Sequence, residues 1–288
     1  MPERHFRNHM IFSPEQAERL PPDQPRLHTV SFADWTYGHH QMMHSHADVA
    51  EVLLILSGRG WYSIGLNRRA VQAGDVVLCN SGVPHDEFPE TDTTYRTMCI
   101  GVKRLALDGL APGQLVAGDA DPIFHQPAQF SELAALFTMM EAHAGAKTER
   151  SRMFCQHLML AALELVRQMT ERAAPAPAPA EGALFARVEA YIDAHYSEDL
   201  SIDRLGKIFY VSPYHLAHLF KEHTGYTIKQ YILRRRIGEA QTRLYGTADS
   251  IQAIAAAVGF EDPAYFSRLF SKFVGMPPSE YREYCGNK

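Results

Sequence analysis

Two stretches near the C-terminus, residues 201–225 and 250–275, repeat one order of polar and apolar positions. Each opens with a serine suited to cap a helix and closes on a glycine suited to end one. Between these ends, apolar residues recur at the i, i+3, i+4 spacing of a helix that buries one face. The apolar sets are Leu216, Leu219 and Phe220 in the first stretch and Phe266, Leu269, Phe270 and Phe273 in the second. This repeat predicts two helix-turn-helix units.

The outer face of each second helix supplies the candidate DNA contacts. These residues are Tyr214, His215, Ala217, His218 and Lys221 in the first unit and Ala264, Tyr265, Ser267, Arg268 and Ser271 in the second. A long helix over 227–245 can hold the two units about 34 Å apart, one turn of double-stranded DNA. Ordinary helical hairpins with solvated faces are the alternative, and two units in register with matching caps count against it. Arg268 is the strongest single candidate for a base or phosphate contact.

Earlier in the chain, short runs of β type alternate with turn signals. The runs are residues 27–35, 49–56, 60–65, 76–79 and 95–102. Strands at this spacing predict a sandwich or small barrel. From 129 to 172 the period becomes helical, with one apolar stripe through Phe137 and another through Leu165. Two amphipathic helices of this kind can cap the barrel, form a dimer or do both.

An Ala-Pro stretch at 173–182 separates the two kinds of pattern. Proline at alternate positions prevents a helix and favours an extended spacer. The sequence therefore predicts an α+β two-domain protein. Its parts are a β-barrel domain over 1–128, a helical dimerisation or capping segment over 129–172, a linker over 173–182 and an all-α domain over 183–288.

Charge is informative only when the chain is divided at this linker. The whole chain carries −5, whereas residues 183–288 hold 13 Lys and Arg against 12 Asp and Glu. Such a domain can bind DNA when its basic groups gather on one face, and Arg234–Arg236 are candidates for that face. We find no apolar run of about 18 residues and no signal-peptide core. The 4 scattered cysteines fit reduced thiols, so the sequence predicts a cytoplasmic protein without a membrane partner.

A second group of polar residues lies in the β region. His44 and His46 alternate on a strand and so share one face, and Glu51 joins them if the chain bends near Ala47–Asp48. His85 arrives from a later strand. Three imidazoles and a carboxylate suit Zn, Fe, Mn or Ni with positions left open for a ligand.

Two alternatives to a metal remain at this point. The same four side chains can hydrogen-bond a small-molecule effector directly, or they can have a purely structural role. Trp61 is a candidate effector contact because an aromatic face suits a sugar-like molecule, and Tyr37 and Tyr62 are further candidates.

The C-terminal region resembles the AraC family of bacterial transcription regulators. The resemblance covers about residues 184–285 and includes the stretch from Gly259 to Phe270 and the closing G-x-x-P-x-x-Y-R at 275–282. It implies a chain that binds adjacent major grooves with both recognition helices, often as a homodimer, with RNA polymerase as a further candidate partner. The first recognition helix departs from the family by lacking an Arg and presenting Ala217 and His218.

The β region resembles the cupin barrel. The pattern G-x5-H-x-H-x4-E-x6-G is met from Gly38 to Gly58, and the second motif is met at Gly74, Gly82 and His85. The second motif is missed at Asn80 and Pro89, which are turn positions, and all four metal positions of the family are present.

Together these resemblances imply a one-component, non-enzymatic transcription regulator. A small polar effector, held by His44, His46, Glu51, Trp61 and His85, would control DNA binding or the dimer arrangement. A metal or redox sensor is an alternative function. A metal-dependent cupin enzyme joined to a DNA-binding tail is another.

Overall fold

The computed structural model describes residues 6–13, 16, 20–34, 42–64, 67–90, 94–118, 120–171 and 183–285. Within these ranges the β-strands come first. They are β1 (Phe6–Met10), β2 (Arg26–Asp34), β3 (Val49–Ser57), β4 (Arg59–Ile64), β5 (Asn67–Gln72), β6 (Asp75–Cys79), β7 (His85–Pro89), β8 (Arg96–Lys103) and β9 (Ile123–His125). The helices follow. They are α1 (Pro127–Ala144), α2 (Glu149–Glu171), α3 (Ala183–His195), α4 (Ile202–Phe209), α5 (Pro213–Thr224), α6 (Ile228–Gly246), α7 (Ile251–Ala257), α8 (Pro263–Val274) and α9 (Pro278–Cys285).

The strands form two antiparallel sheets, one of six strands in the order β1-β2-β8-β3-β6-β9 and one of three in the order β5-β4-β7. Strand β3 lies inside the large sheet and is buried on both faces. Val52 and Leu54 point into the core beneath α1 and α2, and Leu53 and Ile55 point into the core between the sheets. A strand covered on both sides needs apolar residues at every position, which explains the unbroken run Val52–Ile55.

Helices α1 and α2 cover the outer face of the large sheet. The predicted stripes lie against it, with Phe137 of α1 and Met169 of α2 fully buried in the same core. Gln156 of α2 also binds β2, because its Oε1 accepts from Leu27 N at 2.9 Å and its Nε2 donates to Pro25 O at 2.7 Å. The two helices therefore have the predicted capping role within one chain.

The C-terminal helices form two units joined by α6. In the first unit, Phe220 packs with α3 and with Ile228 and Tyr231 at the start of α6. In the second, Phe270 packs with α9 and with Leu244 near the end of α6. One helix therefore contributes to both cores and fixes the relation between the units.

Side-chain caps begin the helices as predicted. Ser201, Ser212 and Ser250 each accept a backbone N–H, and α6 starts with a capping box between Thr227 and Gln230. These caps satisfy N–H groups that the first helical turn leaves without a partner. Both recognition helices, α5 and α8, end on the predicted glycines in the left-handed region.

The architecture confirms the α+β prediction of a sheet-rich N-terminal half and a helical C-terminal half. Strands β1, β5 and β9 were not predicted, and β7 was predicted only as the strand that carries His85. The predicted linker at 173–182 lies outside the described residues, as do Gly38 and Tyr37. Within the part of the chain that the structure describes, no helix is both long and apolar enough to cross a bilayer.

Candidate functional site

The backbone brings the four predicted ligand residues together. His44 and His85 exchange backbone hydrogen bonds, His44 N to His85 O at 3.0 Å and His85 N to His44 O at 2.9 Å. A turn at Ala47–Asp48 then sends the chain into β3, as predicted, and Glu51 joins the two histidines and His46. One ligand atom from each of the four residues lies within 4.8 Å of the others.

Backbone carbonyls orient two of the imidazoles. His44 Nδ1 lies 2.8 Å from Met42 O, and His85 Nδ1 lies 2.9 Å from Val83 O. Because a carbonyl can only accept, each Nδ1 carries the proton and each Nε2 is directed to the cluster. A hydrogen bond of this kind, from the ring nitrogen that faces away from the cluster, fixes a histidine in the tautomer that binds a metal.

Charge is distributed unevenly over the cluster. Burial lowers the pKa of His44 and His46, so both rings favour the neutral form. Burial opposes the charge of Glu51, but the hydrogen bond from His85 and the neighbouring imidazoles outweigh it and leave the pKa of Glu51 below its usual range. Burial also lowers the pKa of His85, and its hydrogen bond to Glu51 reverses that effect and raises it. His85 Nε2 lies 3.0 Å from Glu51 Oε2, and His46 Nε2 lies 3.5 Å from Glu51 Oε1.

This donor set fits a divalent metal. The nitrogens of the neutral His44 and His46 rings and an ionised carboxylate converge on one point, and a metal would displace the Nε2 proton that His85 shares with Glu51. Such ligands suit Zn, Fe, Mn or Ni. The same atoms can also bind the hydroxyl or carboxylate of a small molecule.

A cavity of about 550 Å³ surrounds the cluster, which is within the usual size range for a small-molecule site. Tyr62 lines it beside the four ligand residues. Trp61, the predicted aromatic contact, lies elsewhere: its side chain is on the opposite face of β4, is 40% exposed and packs under Arg68. Adjacent residues of a strand point to opposite faces, so only one of Trp61 and Tyr62 can face the cavity.

Sequence reasoning missed one side of this cavity. Thr242, Tyr245 and Gly246 of α6 and Cys285 of α9 line it together with the barrel residues. These residues come from the helical half, and no local pattern marks them as part of a site in the other domain.

The predicted DNA contacts lie mostly on exposed faces. In α5, Tyr214 is 82% exposed and His215, Ala217, His218 and Lys221 are exposed as well. In α8, Ala264, Tyr265 and Arg268 are exposed. Ser267 and Ser271 are half-buried, and their hydroxyls donate to Pro263 O and Ser267 O of their own helix.

The Arg234–Arg236 run is not on the DNA-binding face, contrary to the sequence prediction. Arg234 is 8% and Arg235 4% exposed. Arg234 pairs with Asp86 of the barrel at 2.9 Å, and Arg236 donates to three backbone carbonyls. Their charge is used inside the protein because α6 lies between the two domains.

Known proteins resemble both halves. Residues 205–284 match a family model described as a helix-turn-helix domain, and residues 34–101 match a model described as a cupin domain. The chain is 29% identical over 237 residues to the MmsAB operon regulatory protein of Pseudomonas aeruginosa, covering 81% of this chain and 71% of that protein. It is 26% identical over 245 residues to the HTH-type transcriptional activator RhaR of Klebsiella pneumoniae, covering 83% and 86%.

The chain carries an AraC-type helix-turn-helix domain and a cupin domain, and the relatives that it matches are AraC-family transcription regulators. Its C-terminal region is 38% identical over 100 residues to an uncharacterized HTH-type transcriptional regulator of Escherichia coli, YijO, which is 35% of this chain and 35% of that protein. The chain thus spans about a third of YijO and most of the other two relatives.

Proposed function

We propose that this protein is a sequence-specific DNA-binding transcription regulator whose cupin domain binds a small polar effector. The observation that carries the proposal is the pairing of two exposed recognition helices on one joining helix, α6, with a cavity that the same helix helps to line. An effector controls such a protein by binding one arrangement of the domains better than another. Double-stranded DNA is the partner, and the regulator works in the cytoplasm, where it reaches bacterial DNA.

Selection of bound duplexes from a random-sequence DNA pool tests DNA recognition directly. We expect a bipartite consensus whose two parts lie about one helical turn apart, since α5 and α8 enter successive major grooves. Tyr214, His215, Ala217, His218 and Lys221 would contact one part, and Ala264, Tyr265, Ser267, Arg268 and Ser271 the other. Recovery of no consensus would contradict sequence-specific binding.

A divalent metal held by His44, His46, Glu51 and His85 is the second part of the proposal. When bound, the metal would supply open coordination positions for an oxygen atom of the effector. We expect purified protein to contain about one metal ion per chain and His46→Ala to lose it, as measured by elemental analysis. His125→Ala is the matched control, because His125 pairs with Asp75 outside the cluster.

A metal-sensing role is the second candidate function, and the convergence of the four ligand atoms favours it. In that case, chelation alone changes DNA affinity in the parent and has no effect in His46→Ala. A thiol-based redox sensor is less well supported, because burial raises the pKa of the Cys79 and Cys99 thiols and makes them less reactive. The relatives named as regulators favour a non-enzymatic function over a cupin enzyme.

We also propose that the protein forms a homodimer through α1 and α2, with RNA polymerase as a partner at the promoter. Met139 and Phe154 leave large apolar surfaces exposed on these helices. Sedimentation equilibrium at micromolar concentration should show a dimer that Phe154→Asp weakens. A monomeric parent chain would contradict the proposal.

A further inference from the structure

The cavity at the cluster of His44, His46, Glu51 and His85 is lined in part by the other domain. Tyr245 and Thr242 of α6 and Cys285 of α9 form part of its wall. Tyr245 lies close enough to Glu51 for the carboxylate charge, together with the larger effect of burial, to raise the pKa of its phenol. The barrel alone therefore does not complete the site.

A short segment of the barrel, residues 42–46, holds the two domains together, and we call it the strap. The Met42 side chain lies in the core of the second helix-turn-helix unit, and the Met43 side chain lies in the core of the first. The strap thus inserts one methionine into each unit on either side of α6. It also carries His44 and His46, two of the four cluster residues.

Backbone atoms of the strap connect the cluster to α6. Met42 N donates to Gln241 Oε1 at 2.8 Å, and Met42 O accepts from His44 Nδ1 at 2.8 Å. The two sides of one residue therefore bind the DNA-binding domain and a cluster imidazole. Ser45, between His44 and His46, accepts a hydrogen bond from Arg235 Nη2 at 2.6 Å.

The second connection runs from the residue after His85. Asp86 pairs with Arg234 of α6 at 2.9 Å, and both side chains are almost fully buried. The guanidinium of Arg234 also lies 4.2 Å from the ring centre of Phe88 and 4.8 Å from that of Tyr226. The partners of this pair belong to different domains, so the contacts form only while the domains are docked.

We propose that occupancy of the cluster and docking of the DNA-binding domain form one coupled equilibrium that the strap transmits. The inference rests on the proposed function. It adds that Thr242 and Tyr245 offer hydroxyls to an oxygen-bearing effector, and that the two-domain site binds its metal and effector best in the docked state. Coupling between two binding events is reciprocal, so undocking the domains must weaken binding at the cluster.

Gly238 gives a selective way to undock the domains. A Cβ atom at this position would lie 2.0 Å from Met43 O, whereas a Cβ atom at Gly246 of the same helix would meet nothing within 4 Å. Alanine also stabilises a helix interior relative to glycine by about 1 kcal/mol. Gly238→Ala should therefore keep α6 intact and displace the strap. Lys229→Ala, at an exposed position of the same helix outside the cavity, is the matched control.

The experiment uses the full chain, with Co²⁺ as the probe of the cluster and the radius of gyration from small-angle scattering as the measure of docking. We expect Gly238→Ala to enlarge the radius of gyration. We also expect it to weaken Co²⁺ binding about tenfold, which is the usual effect of losing a hydrogen bond that orients a metal-binding histidine. Lys229→Ala should match the parent in both measurements. Ser45→Ala removes the bond from Arg235 without a clash, and it should weaken Co²⁺ binding several-fold even if Gly238→Ala fails to fold.

Three results would overturn the coupling. They are an enlarged Gly238→Ala protein that binds Co²⁺ like the parent, a Gly238→Ala protein that stays compact, and a Ser45→Ala protein with parental affinity. A parent chain that binds no Co²⁺ overturns both this coupling and the proposed metal site. DNA binding by the parent, scored separately in the duplex selection, decides the regulator proposal itself.

Discussion

The two helix-turn-helix units have the same caps and the same apolar positions, yet their surroundings differ. The first unit touches the cupin domain at several points, since Tyr226 packs on Phe88 and Arg234 pairs with Asp86. The second unit receives Met42 in its core. Different parts of the cupin domain therefore hold the two units: the first also takes Met43 into its core, and the second helps to line the cavity through Cys285.

The two recognition helices also differ in whether their basic side chain already has a hydrogen-bond partner. Arg268 of the second unit is exposed and has no hydrogen-bond or ion-pair partner among the described residues. Lys221 of the first unit donates to Gly225 O at 2.6 Å, at the end of its own helix. We therefore expect the second unit to supply the stronger cationic contact to DNA.

The prediction with the largest expected effect tests whether the cores of the two helix-turn-helix units open separately. Phe220→Ala and Phe270→Ala each remove a fully buried ring, and each should cost about 3–5 kcal/mol of unfolding free energy. Because the rings lie in different clusters, hydrogen exchange should increase mainly in the helices of the altered unit. Equal loss of protection in both units would show that α6 makes them one cooperative body.

The second prediction uses a polar group present in the core of the first unit. Burial, with the charge of Asp193 as the next cause, raises the pKa of Glu189 to about 8. Tyr231 Oη donates to Glu189 Oε1 at 3.1 Å. Since the folded pKa lies above the unfolded one, this group stabilises the fold fully below about pH 4.3, and the contribution is lost as pH rises through about 8.

Thermal unfolding from about pH 5 to pH 9 should therefore show a decline on the order of 2 kcal/mol in the parent. Glu189→Gln should reduce that decline, because an amide does not titrate. Glu261→Gln, at an exposed position of the second unit, is the control and should follow the parent. An unchanged slope in Glu189→Gln would exclude this carboxyl as the cause.

The third prediction compares the two recognition helices on DNA. Arg268→Ala should weaken binding to a selected duplex by about 1–3 kcal/mol if Arg268 contacts a base. Lys221→Ala should cost less, because Lys221 already donates to its own helix end. Fluorescence anisotropy at several salt concentrations measures both effects. A larger loss in Lys221→Ala would reverse the assignment of the stronger contact.

The sequence predicted best those elements in which apolar period and caps coincide. The pattern predicts a helix over 227–245, and α6 spans Ile228–Gly246 after the cap Thr227. Strand β1 was missed because its sequence, FRNHM, is largely polar and its pairing depends on a distant partner. A strand of this kind has little local signal.

The residues of the candidate site also divide into those that the sequence could predict and those that it could not. Spacing along the chain was sufficient to group His44, His46 and Glu51, although His44 forms an isolated bridge with His85 and is not part of the predicted strand. Tyr245 was not predictable, since it reaches the cavity only through the docking of two domains. The Arg234–Arg236 run was misassigned for the same reason: sequence shows the charge of a residue and not the buried partner that neutralises it.

The smallest expected effect concerns the caps that the two recognition helices share. Ser212 Oγ accepts from His215 N at 3.2 Å, and Asp262 Oδ1 accepts from Ala264 N at 2.8 Å. Ser212→Ala and Asp262→Ala should each cost about 1 kcal/mol of unfolding free energy. Asp262→Ala should cost more, because its carboxylate also faces the positive end of the α8 dipole, an effect of about 0.3–1 kcal/mol. Asp262→Asn keeps the cap and removes the charge, so denaturant unfolding of this variant isolates the second effect, and equal stability of Asp262→Asn and the parent would assign the whole cost to the hydrogen bond.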